Sequence, residues 1–133
     1  MKYSNETIQQ INLFEQLTHS KIKDLFYHDD YFLFIVQENQ GSKAIGKQGK
    51  NAKLFSKLTK KKLKIVEFNE DKVKFINGLI YPLHADSIED KGKFVEIHAN
   101  TPTKALLIGR DGKNVKFYNA ILQKYFHVEL KVL

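Results

Sequence analysis

A short phrase occurs twice in this chain: Ile45-Gly46-Lys47-Gln48-Gly49-Lys50-Asn51-Ala52-Lys53 and Ile108-Gly109-Arg110-Asp111-Gly112-Lys113-Asn114-Val115-Lys116. Both read I-G-x-x-G-K-N-apolar-K, and the second starts 63 positions after the first in a chain of 133. Each follows an apolar run of strand character, Tyr31 to Val36 and Phe94 to Ile97, and leads into a segment of helical spacing. Self-similarity at such a period means that one supersecondary unit is used twice. Units of roughly 65 residues lie near the lower limit for an independent core, so two of them in succession, 1–68 and 69–133, are expected to lean on each other. The junction Phe68-Asn69-Glu70-Asp71 contains no Gly, Pro or Ser that would make it a loose tether. Both loops are therefore expected on one continuous surface.

Within the first unit, Ser4 or Asn5 is placed to cap a helix whose apolar positions Ile8, Ile11, Leu13, Phe14 and Leu17 fall at helical spacing. Lys21 to Tyr27 alternates weakly, His28-Asp29-Asp30 reads as a turn, and Tyr31 to Val36 reads as a central strand buried on both faces. Gln40-Gly41-Ser42 opens a short helix to Ile45, the Gly46 to Gly49 loop follows, a helix runs from Lys50 to Lys60, and Leu63 to Phe68 is a third strand. The second unit repeats the order. Asp71 to Tyr81 is a helix stopped by Pro82, Leu83 to Ile88 a weak strand, Glu89 to Gly92 a turn, and Lys93 to Ala99 a strand. Thr101 and Pro102 start a helix as N-cap and first-turn proline. Gly109 to Gly112 is the loop, a helix reaches Tyr125, and His127 to Leu133 is the last strand. From the first glycine onward, Gly46 to Phe68 aligns with Gly109 to Lys131 without a gap, while the strand-to-loop spacing differs by one residue. The fold class is α+β, two three-stranded mixed sheets covered by helices.

The loop residues have chemistry suited to a phosphodiester. Glycines at both ends remove Cβ atoms that would block close approach to the main chain. The second glycine opens a helix, whose unpaired N–H groups and positive end favour an anion. Lys50 and Lys113 stand just past it, with Lys53 and Lys116 one turn on, and Ile45 and Ile108 can floor an apolar groove for bases. The middle residues differ: Lys47-Gln48 carries one positive charge, whereas Arg110-Asp111 sums to zero, and the Asp111 carboxylate repels a phosphate unless Arg110 pairs with it. The first loop is expected to bind more tightly. Lys57, Lys60, Lys61, Lys62 and Lys64 form a basic run at a helix end, consistent equally with a solvated C-terminus and with phosphate contacts.

Other chemistries fit less well. Gly41 to Lys47 matches the G-x-x-x-x-G-K of a phosphate-binding P-loop, but Gln48 stands where Ser or Thr would hold magnesium. The absence of Cys excludes thiolate metal sites, disulfides and cysteine nucleophiles. Histidines 19, 28, 84, 98 and 127 are dispersed, so no metal site is expected, and no cofactor or catalytic residue. Tyr31, Phe32 and Phe34 are read as core rather than as stacking platforms. No run approaches about 18 apolar residues, which predicts a cytoplasmic chain without membrane contact. Asn5-Glu6-Thr7 fits a glycosylation sequon without a secretion signal to give it meaning. The excess of 22 Lys and Arg over 15 acidic residues, a net charge of +7, suits a polyanionic partner.

An apolar residue and G-x-x-G between two helices is the signature of the KH module, which clamps about four single-stranded nucleotides. The element order resembles the second, prokaryotic type of KH fold. With two such units in immediate succession, the chain resembles the archaeal NusA-like family over essentially its whole length, through Ala44 to Asn51, Leu107 to Val115 and the helical spacer between them. That resemblance implies a non-enzymatic binder of single-stranded RNA in transcription elongation, termination or antitermination, with RNA polymerase as a further partner and no small-molecule substrate. It implies RNA contacts for Ile45, Gly46, Lys47, Gln48, Gly49, Lys50, Asn51 and Lys53, and for Ile108, Gly109, Arg110, Asp111, Gly112, Lys113, Asn114 and Lys116. The alternatives are a ribosome-assembly or translation factor built from the same modules, or an interaction module docking to a polymerase or ribosome.

Overall fold

The computed structural model describes residues 5–133, and Ser4, one of the two expected caps, lies outside them. The chain divides into two compact units, residues 1–68 and 69–133. The first contains α1 (Asn5–Thr18), β1 (Ile22–His28), β2 (Tyr31–Val36), α2 (Gly41–Ile45), α3 (Lys50–Thr59) and β3 (Lys62–Glu67). The second contains α4 (Lys72–Ile80), β4 (Ser87–Asp90), β5 (Phe94–His98), α5 (Thr101–Ile108), α6 (Lys113–Phe126) and β6 (Glu129–Val132). Each holds a three-stranded mixed sheet: β2 pairs antiparallel with β1 and parallel with β3, and β5 does the same with β4 and β6.

Strand β2 is central because it is apolar on both faces. Leu33, Phe34, Ile35 and Val36 are all fully buried. Phe34 and Val36 join Phe14 of α1, Leu25 of β1, Ala44 of α2 and Phe55 of α3 in one core cluster. The rings of Phe14 and Phe34 stack with centroids 4.0 Å apart, and Phe55 meets both edge-on. Aromatic pairs of this kind contribute about 0.5–1.5 kcal/mol each beyond their buried area. Phe32 is partly buried against the same cluster, so this residue and Phe34 are core, as expected. The β1–β2 hairpin turns at Asp29 and Asp30, both left-handed at φ 51° and 67°, a conformation that suits Asp in a tight hairpin.

Besides shifts such as His28 joining β1 and the last strand starting at Glu129 rather than His127, three boundaries differ from the sequence expectation for a visible reason. The first strand of the second sheet is Ser87–Asp90 rather than Leu83 to Ile88, and Glu89 and Asp90 belong to it. The strand lies at a sheet edge and is mostly exposed, so burial leaves no apolar pattern to mark it. The turn comes later, where Gly92 takes φ 91° and its N–H donates to the Asp90 carboxylate at 2.9 Å. Helix α5 is capped by Asn100, whose side chain accepts from the Thr103 N–H at 2.9 Å, which makes Thr101 the first helical residue. The first helix of the unit begins at Lys72, and Asp71 caps it through the Val73 and Lys74 N–H groups.

Candidate nucleic-acid interface

The two loops fold alike although their middle residues differ. Gly46 and Gly109 adopt φ 76°, ψ 171° and φ 75°, ψ 171°, while Gln48 and Asp111 are left-handed at φ 56°, ψ 28° and φ 57°, ψ 23°. Gly49 and Gly112 are also left-handed, at φ 74° and 73°. In each loop the second glycine's N–H donates to the first glycine's carbonyl, at 3.2 and 3.1 Å. Gly46 to Gly49 and Gly109 to Gly112 thereby close as single four-residue turns that lead into α3 and α6.

The two glycines of each loop stand in different surroundings. The combination of φ near 76° with ψ near 171° falls in a region essentially reserved for glycine. A Cβ at Gly46 would also meet the Asn51 side chain at 2.9 Å, and one at Gly109 would meet Asn114 at 2.7 Å. Those amides brace the loops. Asn51 Nδ2 donates to the Lys43 carbonyl at 3.1 Å and Asn114 Nδ2 to the Leu106 carbonyl at 2.9 Å, each spanning from the start of the second helix to the end of the first. The first glycine and the asparagine five positions on thus act together in both loops. Around Gly49, by contrast, a Cβ would find only Lys53 Cε at 3.9 Å, so this end of the loop is open.

Neither α3 nor α6 receives a side-chain cap at its N-terminus, unlike α4 and α5. The Gly49 N–H is used inside the loop, as is that of Lys50, which donates to Lys47. The helix dipole remains directed at the loop. Lys47, Gln48, Lys50 and Lys53 are exposed and line an open depression of about 510 Å³. Ile45 is 43% exposed beside it. In the second unit Arg110, Asp111, Lys113 and Lys116 are exposed and Ile108 is half-buried. Lys116 Nζ donates to the Asp111 carbonyl at 3.3 Å. Among the described residues Arg110 and Asp111 form no ion pair with each other, so the acidic side chain is not neutralised from within the loop.

The P-loop-like stretch is not a phosphate cradle. Gly41 to Ile45 is helical, the Ala44 N–H donates to Gln40, and Gly41 is small because a Cβ there would meet Glu67 Oε1 at 2.7 Å. The Gly41 N–H donates to that carboxylate at 2.8 Å. Sequence reasoning missed one grouping: Glu89, Glu96 and His98 bring donor atoms within 4.8 Å of one another across the β4–β5 register. Glu89 is paired with Lys91 at 3.2 Å. No helix among the described residues is long and apolar enough to cross a membrane.

The family model for the NusA-like second KH domain matches residues 15–73, which include the first loop. The chain is 29% identical to the probable transcription termination protein NusA of Methanocaldococcus jannaschii, over 100% of this chain and 75% of that one. It is 30% identical to the protein of the same name from Methanococcus vannielii, over 86% and 69%. Among solved structures, the crystal structure of APE1850 superposes with a TM-score of 0.72 at 24% identity, covering 98% of this chain and 100% of that one, a likeness of fold. A tandem of two mixed-sheet units, each carrying the braced G-x-x-G loop, together with these relatives, places the chain in the archaeal NusA-like family.

Proposed function

We propose that this protein binds single-stranded RNA through its two G-x-x-G loops and acts in transcription termination or its control, without turning over a substrate. The observation that carries this reading is the conserved loop conformation: two sequences that differ at both middle positions keep the same dihedrals, the same asparagine brace and the same lysines at an uncapped helix start. A backbone anion laid against such a loop meets the helix dipole and the flanking ammonium groups together. Ile45 beside the first loop supplies apolar surface for bases. The relatives' name, probable transcription termination protein, supports the transcription setting, and RNA polymerase is the protein partner that setting suggests.

The test is the double substitution Lys47→Asp with Gln48→Asp. Asp is tolerated at the second position, because Asp111 already occupies the same left-handed conformation in the other loop. The fold should stay intact while three units of charge are removed from the depression. Affinity for single-stranded RNA is expected to fall at least tenfold, about 1.4 kcal/mol. Unchanged affinity in a folded double variant would refute the assignment of the loop.

A further inference from the structure

We infer that RNA contact in the first unit extends past the loop, along the outer face of α3, as a lysine track that ends on Tyr27; the inference rests on the RNA-binding reading above. Lys50, Lys53 and Lys57 recur at spacings of three and four residues, which puts them on one face of α3, and Lys60 follows as the left-handed residue that ends the helix. The core side chain Phe55 lies two positions from both Lys53 and Lys57 and is fully buried, so the lysines occupy the opposite side. All four are exposed. The ten residues of α3 span about 15 Å, so the row reaches well beyond the loop.

Lys57 and Lys60 complement the C-terminal end of the helix dipole, but the rest of the row is unfavourable without a polyanion. Helix α3 has no acidic residue, and among the described residues none of the four lysines pairs with a carboxylate. Lys53 and Lys57 repel each other at i, i+4, and Lys50 stands at the helix end where a cation is disfavoured. The second unit does not repeat the arrangement, since Ala120 and Gln123 occupy the places of Lys57 and Lys60. The structure also divides the basic run of the sequence: Lys64 turns into the half-buried part of β3, whereas Lys61 lies with its ammonium 5.9 Å from the centre of the Tyr27 ring.

Tyr27 is 53% exposed and borders a cavity of about 320 Å³ with Phe32, Gln10, Thr7, Lys61 and the acidic Glu6. A base that stacks on the exposed Tyr27 ring would complete the track at this end.

The experiment compares random-sequence single-stranded RNA pools of about four and about ten nucleotides by fluorescence anisotropy. The variant is Lys57→Gln with Lys60→Asn, Asn being chosen because Lys60 is left-handed at φ 58°. Two lost phosphate contacts at ~0.7 decade each in 0.1 M salt should weaken ten-nucleotide binding roughly 10- to 30-fold and leave four-nucleotide binding unchanged. Tyr27→Ala should weaken only the longer RNA, with Tyr27→Phe retaining binding. Undiminished ten-nucleotide binding overturns the track while Lys47→Asp/Gln48→Asp still reports on the loop. An equal loss in the charge-matched Lys93→Gln/Lys104→Gln variant also overturns the track. Absence of binding by the unaltered protein to either pool overturns the RNA-binding reading itself.

Discussion

The two glycines of the first loop should respond differently to the same substitution, and the structure supplies the magnitudes. Gly46→Ala forces a Cβ into the glycine-only region at φ 76°, ψ 171°, a cost of about 1–3 kcal/mol. It also places that Cβ 2.9 Å from the Asn51 amide, which must move and lose its bond to the Lys43 carbonyl, about 1 kcal/mol more. Gly49→Ala meets only the left-handed penalty of roughly 1–2 kcal/mol, and both substitutions regain ~0.4–1 kcal/mol from the stiffer unfolded chain. The expected losses are about 2 kcal/mol for the first and about 1 kcal/mol or less for the second. Urea denaturation read by circular dichroism measures both. Asn51→Ala removes the colliding amide, so a cycle of Gly46→Ala with Asn51→Ala should show about 1 kcal/mol of coupling, and one of Gly49→Ala with Asn51→Ala none. Equal costs at the two glycines, or no coupling at Gly46, would refute the account of Asn51 as a brace.

Three further outcomes are expected. Desolvation pushes the half-buried Lys64 ammonium from 10.5 down to about 8, so between those values the folded protein binds fewer protons than the unfolded chain and stability rises with pH; Lys64→Met should flatten that rise in thermal melts at pH 8 to 10, and parallel profiles would contradict it. If the loops and their lysines neutralise roughly four to six phosphates, the slope of log K against log salt on single-stranded RNA is about −3 to −4, and a slope near zero would favour a protein-docking module. An RNA long enough to engage both loops should bind far more tightly than one of about four nucleotides, because the second contact is intramolecular; equal affinities would show that the loops act separately.

Local features of this chain were legible without coordinates. The repeated I-G-x-x-G-K-N phrase located both loops, and the unbroken Tyr31 to Val36 run identified the central strand, because a strand buried on both faces must be apolar throughout. Helices with an apolar stripe and a clear stop, such as the one ending before Pro82, were equally visible. Exposed edge strands were not: Glu89 and Asp90 pair with β5 through main-chain bonds that leave no hydropathy pattern. Caps one residue off, as at Asn100 in place of Thr101, depend on dihedral angles rather than on residue type.

What the residues alone determined is that two glycine-bounded turns lie between helices with lysines beside them. Why each glycine is required was a tertiary matter. Gly49 is left-handed with open space around it, whereas Gly46 is needed because Asn51, five positions on, folds back over it to reach the Lys43 carbonyl. The sorting of the lysine run was tertiary as well. Lys57 and Lys60 join the row begun at Lys50, while Lys64 is drawn toward the half-buried sheet. Helical phase and strand direction decide which way an ammonium group points, and both are set only once the helix has docked its apolar side through Phe55.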